Sequence, residues 1–276
     1  MPLEDDARTG GGPHRSSSVA FPWGRGVQWV REGARMFVKA PGVWMLLVVL
    51  QLLIWVAISL LPTPEGLLGA VFDLVIQIGG MIVGIFLDAG LLLGCASQHR
   101  GERLQIGTLT AAIGHPAAPA LIRLALLQVL AWFVVTAVVV AMVLGLLLGG
   151  AWAGIGTQAI SDAVSHSLAS VLLIVLIAGT FGVLLAMAMW MSAPLVVFRG
   201  LTPVQALVAS FHANLRNVGA LTIYGLIMIA LLVIAAIPLF VGLLAWIPLA
   251  MTSRYLAFVD LFPETDPKPA GETTTF

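Results

Sequence analysis

Asp88 is the residue whose type and place in the chain most directly imply chemistry. It sits in a long apolar run, about nine residues from the run's inner end, or about 14 Å at 1.5 Å rise per residue. A carboxylate at that depth is expensive unless it is paired or protonated. It therefore serves either as a proton or cation site or as half of a structural ion pair. Two arginines are in range: Arg123, near the start of the third apolar run, and Arg254, near the end of the sixth. Arg123 is the first expected partner, because a cytoplasmic connection joins its run to that of Asp88 and both residues lie on the inner half; Arg254 is the second, because its run also ends inside. Gln51, Gln77 and Gln128 are the other polar side chains within apolar runs. They are expected to make interhelical hydrogen bonds, or to line a solute path together with Asp88.

Other chemistry is thin. The single cysteine, Cys95, excludes an internal disulfide and a thiolate metal cage. Met187, Met189 and Met191 suit packing better than a soft-metal site, since Cys or His ligands are not beside them. His115 and His212 fall at the ends of two surface segments and read as headgroup-level histidines. No Walker loop, HExxH or GxSxG occurs, so neither an enzymatic role nor a cofactor nor a metal is expected.

The elements that must hold these residues are membrane spans. Of 276 residues, 60% are hydrophobic and 9% charged. A soluble domain carries about 25% charged residues. Soluble enzymes, disordered regulators and nucleic-acid binders are thereby excluded. Stretches of about 20 apolar residues predict six transmembrane helices at 43–61, 67–97, 120–148, 168–192, 218–237 and 239–259. Pro238 splits the last two into a tight hairpin. Gly66, Gly69, Asp73, Gln77, Gly80, Gly84, Asp88 and Cys95 form a small and polar stripe along the second run, which favours one long helix. The ends, 1–22 and 263–276, read as disordered cytoplasmic tails flanking a membrane domain over 23–262.

Charge orients the bundle. Arg8, Arg15, Arg25, Arg31, Arg35 and Lys39 precede the first run. Arg100, Arg103 and Arg123 lie around the second connection, Arg199 and Arg216 around the fourth, and Arg254 and Lys268 near the end. These are all 13 basic residues. The positive-inside rule puts both termini in the cytoplasm.

Three inner-surface segments are predicted as interfacial amphipathic helices. On a wheel of 27–39, Gln28, Arg31, Glu32, Arg35 and Lys39 form one face, and Trp29, Val30, Ala34, Phe37 and Val38 fill the other. Thr202, Pro203, Val204 and Gln205 open a second helix as a capping box, with Val204, Leu207, Val208, Phe211 and Leu215 as its apolar stripe. A weaker copy covers 104–115, with Ile106, Leu109 and Ile113. The string Leu50–Val56 echoes Leu127–Phe133. Together these predict an all-α integral membrane protein of three units, each a surface helix plus a transmembrane hairpin.

Met191–Gly200, then Ala206, Ser210-Phe211 and Arg216-Asn217, and finally Tyr255–Phe262 resemble a family of uncharacterised proteobacterial inner-membrane proteins. The Gly/Trp-rich stretch Gly24–Trp29 and the Arg100-Gly101-Glu102 turn fit the same likeness, which covers roughly 23–262. A more distant likeness is to membrane domains attached to bacterial glycerophosphodiesterases. The resemblance implies a six-helix inner-membrane fold and supplies no chemistry. The expected role is a non-enzymatic accessory, scaffolding or inner-leaflet-organising factor, whose partners are a bilayer with an anionic inner leaflet and a second membrane protein. The alternative is a small-solute or lipid transporter with a path near Asp88.

Overall fold

A computed structural model describes residues 19–62, 64–152 and 159–263. Within them the regular structure is helical. The elements are α1 (Arg25–Val38), α2 (Pro41–Ser59), α3 (Gly66–His99), a 3-10 turn (Ile106–Thr110), α4 (Ala118–Trp152), α5 (Ala159–Trp190), α6 (Ser192–Arg199), α7 (Pro203–Arg216), α8 (Val218–Ala236) and α9 (Leu243–Leu261). Among the described residues, five stretches are long and apolar enough to cross a membrane: Pro41–Ser59, Gly66–His99, Ala118–Gly145, Val171–Arg199 and Val218–Ala236. The protein is therefore a membrane-embedded helical chain. The expected sixth span, α9, has the 19 residues of α2 and α8 but falls short in apolarity among the described helices. Thr252, Ser253, Arg254 and Asp260 interrupt it, and Pro248 lies inside it.

The expected outer connection 149–167 is much shorter. α4 runs on to Trp152 and α5 starts at Ala159, leaving 153–158, which lie outside the described residues. Most of the two tails, 1–18 and 264–276, lies outside them as well.

Packing concentrates at one end. Trp29, Trp44, Leu91, Leu92, Leu121, Leu124, Met191, Leu195 and Leu261 form one buried cluster there. The opposite halves of α3, α4 and α5 are exposed and apolar, from Leu67 to Val75 and from Leu168 to Leu176. The packed end also carries the described basic residues.

α1 forms as a helix in which Trp29 and Val30 of the expected apolar face are buried, Ala34 and Phe37 are half-buried and Val38 is exposed. Gly26, Trp29, Val30, Gly33 and Met36 are buried against α8 and α9. A Cβ on Gly33 would lie 2.8 Å from Ser253, and one on Gly26 would overlap the Ala220 carbonyl. The two glycines let backbones meet, and Thr252 Oγ1 donates to the Gly33 carbonyl at 3.0 Å. Trp29 packs edge-on between Phe21 and Tyr224, and its Nε1 donates to Asp260 at 2.7 Å. Arg25 Nε bonds the same carboxylate oxygen at 2.6 Å, a hydrogen bond that raises the guanidinium pKa further above its ordinary value.

One surface-segment expectation is corrected. The 104–115 segment is not an α-helix. Gly107 and Gly114 weaken it, and it forms a 3-10 turn followed by further turns. Leu109 is buried while Ile106 and Ile113 are exposed. The turn lies directly on α3, where Cβ atoms at Gly90 and Gly94 would each come within 2.6 Å of Thr108 or Leu109. In α7 the capping box forms as read, with Thr202 and Gln205 exchanging bonds. Its buried face, however, is Pro203, Ala206, Ser210, Ala213 and Asn214. The predicted apolar stripe points outward, with Val204 60% exposed and Val208 51%. The outward side also carries the polar Gln205, His212 and Arg216, while Leu207 packs partly against the core.

Residues 19–22, the last four of the expected tail, are held against the helical domain. Val19 N donates to the Leu261 carbonyl at 3.2 Å. Asn217 accepts from Phe21 N at 2.8 Å and donates to the Val19 carbonyl at 2.9 Å. The start and end of the helical domain are thus tied together.

Candidate functional site

The site is built on an interruption in the fourth apolar stretch. Pro194 has no N–H, so the Trp190 carbonyl four residues earlier loses its helical donor. α5 ends at Trp190, Met191 turns the chain (φ −104°, ψ 5°), and α6 continues. In a bilayer each released backbone group needs a protein partner. The sequence supplies them from three other helices.

Arg254 of α9 donates from Nε to the Trp190 carbonyl at 2.8 Å. Its Nη1 reaches both oxygens of Asp88 on α3, at 2.8 and 3.0 Å. Ser210 of α7 enters the bond that would join Met191 N to the Met187 carbonyl. Its Oγ accepts from Met191 N at 3.0 Å and donates to the Met187 carbonyl at 2.8 Å. Asn214 Nδ2 donates to the same carbonyl at 2.8 Å. Ser192 Oγ donates to the Met189 carbonyl at 2.7 Å and accepts from Gln128 Nε2 of α4 at 3.3 Å. One break therefore fastens α3, α4, α5, α7 and α9 together.

The ion pair corrects the first expectation. Asp88 pairs with Arg254, the second choice. Arg123 is exposed, and its Nε donates to the Pro119 carbonyl of its own helix at 3.2 Å. The reason is depth. Arg123 lies in the second turn of α4, while Arg254 is in the body of α9, beside the α5 break. The Asp88 and Arg254 side chains keep 21% and 13% of their exposure, so the pair is secluded without being sealed.

The glutamines do not converge. Gln128 belongs to the break. Gln77 is exposed on the outer half of α3 with Asp73. Gln51 Oε1 is buried without a hydrogen-bond partner. Trp55, four residues after Gln51, lies 3.3 Å from Cβ positions built on Gly80 and Gly84, so those stripe glycines make room for its ring. Trp55 and its counterpart in the echoed string, Trp132, are both exposed, at 37% and 46%.

Among the described residues no group of three His, Cys, Asp or Glu side chains is placed to hold a metal. His115 Nδ1 accepts from Ala117 N, and His212 Nδ1 lies 2.8 Å from the Val208 carbonyl, so each is occupied locally. Ser192, Ser210 and Asn214 are the site residues that motif reading missed. The available signal was Pro194 inside an apolar stretch, which predicts an orphan carbonyl at Trp190.

No protein family, curated protein or solved structure matches the chain, so the resemblance to uncharacterised inner-membrane proteins stands on the residues quoted for it.

Proposed function

We propose that the chain is a non-enzymatic bacterial inner-membrane protein of six crossings with both ends cytoplasmic, acting as an accessory or scaffolding factor at the inner leaflet. The observation that carries this reading is the closure of its deep charge. Both Asp88 oxygens are held by Arg254, whose remaining bond secures a helix break. A carboxylate so engaged is a fastening, not a relay. The contact between Val19 and Leu261 supports an even number of crossings, and α9 is the helix that completes six. Arg31, Arg35 and Lys39 are exposed on the side of α1 away from α8 and α9. Juxtamembrane cations gain up to about 1 kcal/mol each from an anionic leaflet.

The transport alternative draws on Gln51, whose carbonyl oxygen is buried without a partner. Reconstitution into vesicles separates the two readings. The scaffold reading expects no proton or solute flux that depends on Asp88. It also expects co-purifying membrane proteins to be lost when Arg31, Arg35 and Lys39 are all changed to Gln. Flux abolished by Asp88→Asn, with the partner set unchanged by the triple variant, supports transport instead.

A further inference from the structure

Arg123, released from the expected pairing, lies one helical turn before Leu127, the first lining residue of an apolar groove. The groove runs between α4 and α5, from Leu127 past Val134 and Val138 on one wall and past Leu184 and Phe181 on the other. Residues 123, 127, 134 and 138 share one face of α4, at steps of 4, 7 and 4. From Leu127 to Met142 the groove spans about 22 Å at 1.5 Å per residue. Its upper part exposes only apolar surface. Beyond the Nε bond to Pro119, the Arg123 guanidinium has no partner among the described residues.

We propose that this groove holds one acyl chain of an anionic inner-leaflet phospholipid, with the Arg123 guanidinium on its phosphate. The inference rests on the orientation proposed above, which puts the start of α4 at the inner leaflet. Charge complementarity selects the occupant. A guanidinium matches phosphate geometry through paired N–H donors. A second copy meeting this face would bring no carboxylate to it: residues 118–152 contain no Asp or Glu, and 159–190 contain only Asp162, at the far end of α5. A phospholipid supplies both the anion and the chain that the groove accommodates.

The test is native mass spectrometry of the full chain released from detergent micelles containing phosphatidylglycerol or phosphatidylcholine. Wild type is expected to retain one phosphatidylglycerol at activation energies that strip phosphatidylcholine. Arg123→Gln should weaken that retention by about tenfold, the scale of a lost charge-assisted contact, and Arg123→Lys should restore part of it. Ala178→Phe, which fills the groove from α5, should abolish the retention of phosphatidylglycerol. Melting temperatures near that of wild type identify the variants as folded, and Arg123→Gln, at an exposed position, keeps the test open if the groove filler does not fold. Retention indifferent to headgroup and to Arg123 would mean boundary lipid only and would overturn the proposal. So would a dimer that Ala178→Phe dissociates, since the groove would then be an interface between copies. Loss of the lipid site leaves the partner set and the orientation untouched, so its failure is distinct from that of the scaffold reading.

Discussion

Asp88 and Arg254 are separated by 166 positions in sequence and joined by two hydrogen bonds in space. Removing one member of a buried pair costs about 3–5 kcal/mol because the other is stranded. Residual exposure lowers that here, to about 2–4 kcal/mol for either single change. Arg254→Gln should cost more than Asp88→Asn, since it also abandons the Trp190 carbonyl. Detergent melts of Asp88→Asn, Arg254→Gln and the double variant should show a coupling of about 1–3 kcal/mol. Asp88→Asn with Arg123→Gln should be additive within about 0.5 kcal/mol; coupling there would restore Arg123 as the partner. The need for a cation at Asp88 was legible from depth alone. Which arginine supplies it was not, because that depends on how α9 lies against the α5 break.

At the scale of elements, the break between α5 and α6 follows from Pro194, and its repair comes from α7 and α9. Ser210→Ala should cost about 1–2 kcal/mol by leaving Met191 N without its acceptor while Asn214 still serves Met187. Adding Asn214→Leu should bring the loss to about 3 kcal/mol. A loss no larger than that of the exposed change Val208→Ala would mean the break needs no side-chain support. α1 gives a second prediction. Gly33→Val places a Cβ 2.8 Å from Ser253 and should destabilise by about 1–3 kcal/mol through overpacking, while Gly24→Ala, which meets nothing within 4 Å, should be neutral in the same melts. Helix positions were legible because apolar length and capping chemistry are local properties. The 3-10 turn was misread because a glycine-weakened segment takes its shape from the helix it rests on.

For the whole molecule, two independent asymmetries coincide. The basic residues gather at one end, and that end holds the tight core, the tied termini and the α1 docking face. The other end presents apolar helix surface, including the exposed turn at Ile237, Leu239 and Phe240 between α8 and α9. Composition made the membrane setting legible, and the charge count predicted the orientation. What composition understated was α9, whose polar residues lower its apolarity because they serve the break and α1. The central claim is that α9 nevertheless crosses, bringing the end of the domain back beside its start. Single cysteines at Glu65, Leu239, Lys39 and Pro263, in a Cys95→Ser background, can be probed with a membrane-impermeant maleimide on intact spheroplasts. The account predicts labelling at 65 and 239 from outside, and at 39 and 263 only after permeabilisation. Labelling of 239 and 263 from the same side would contradict it.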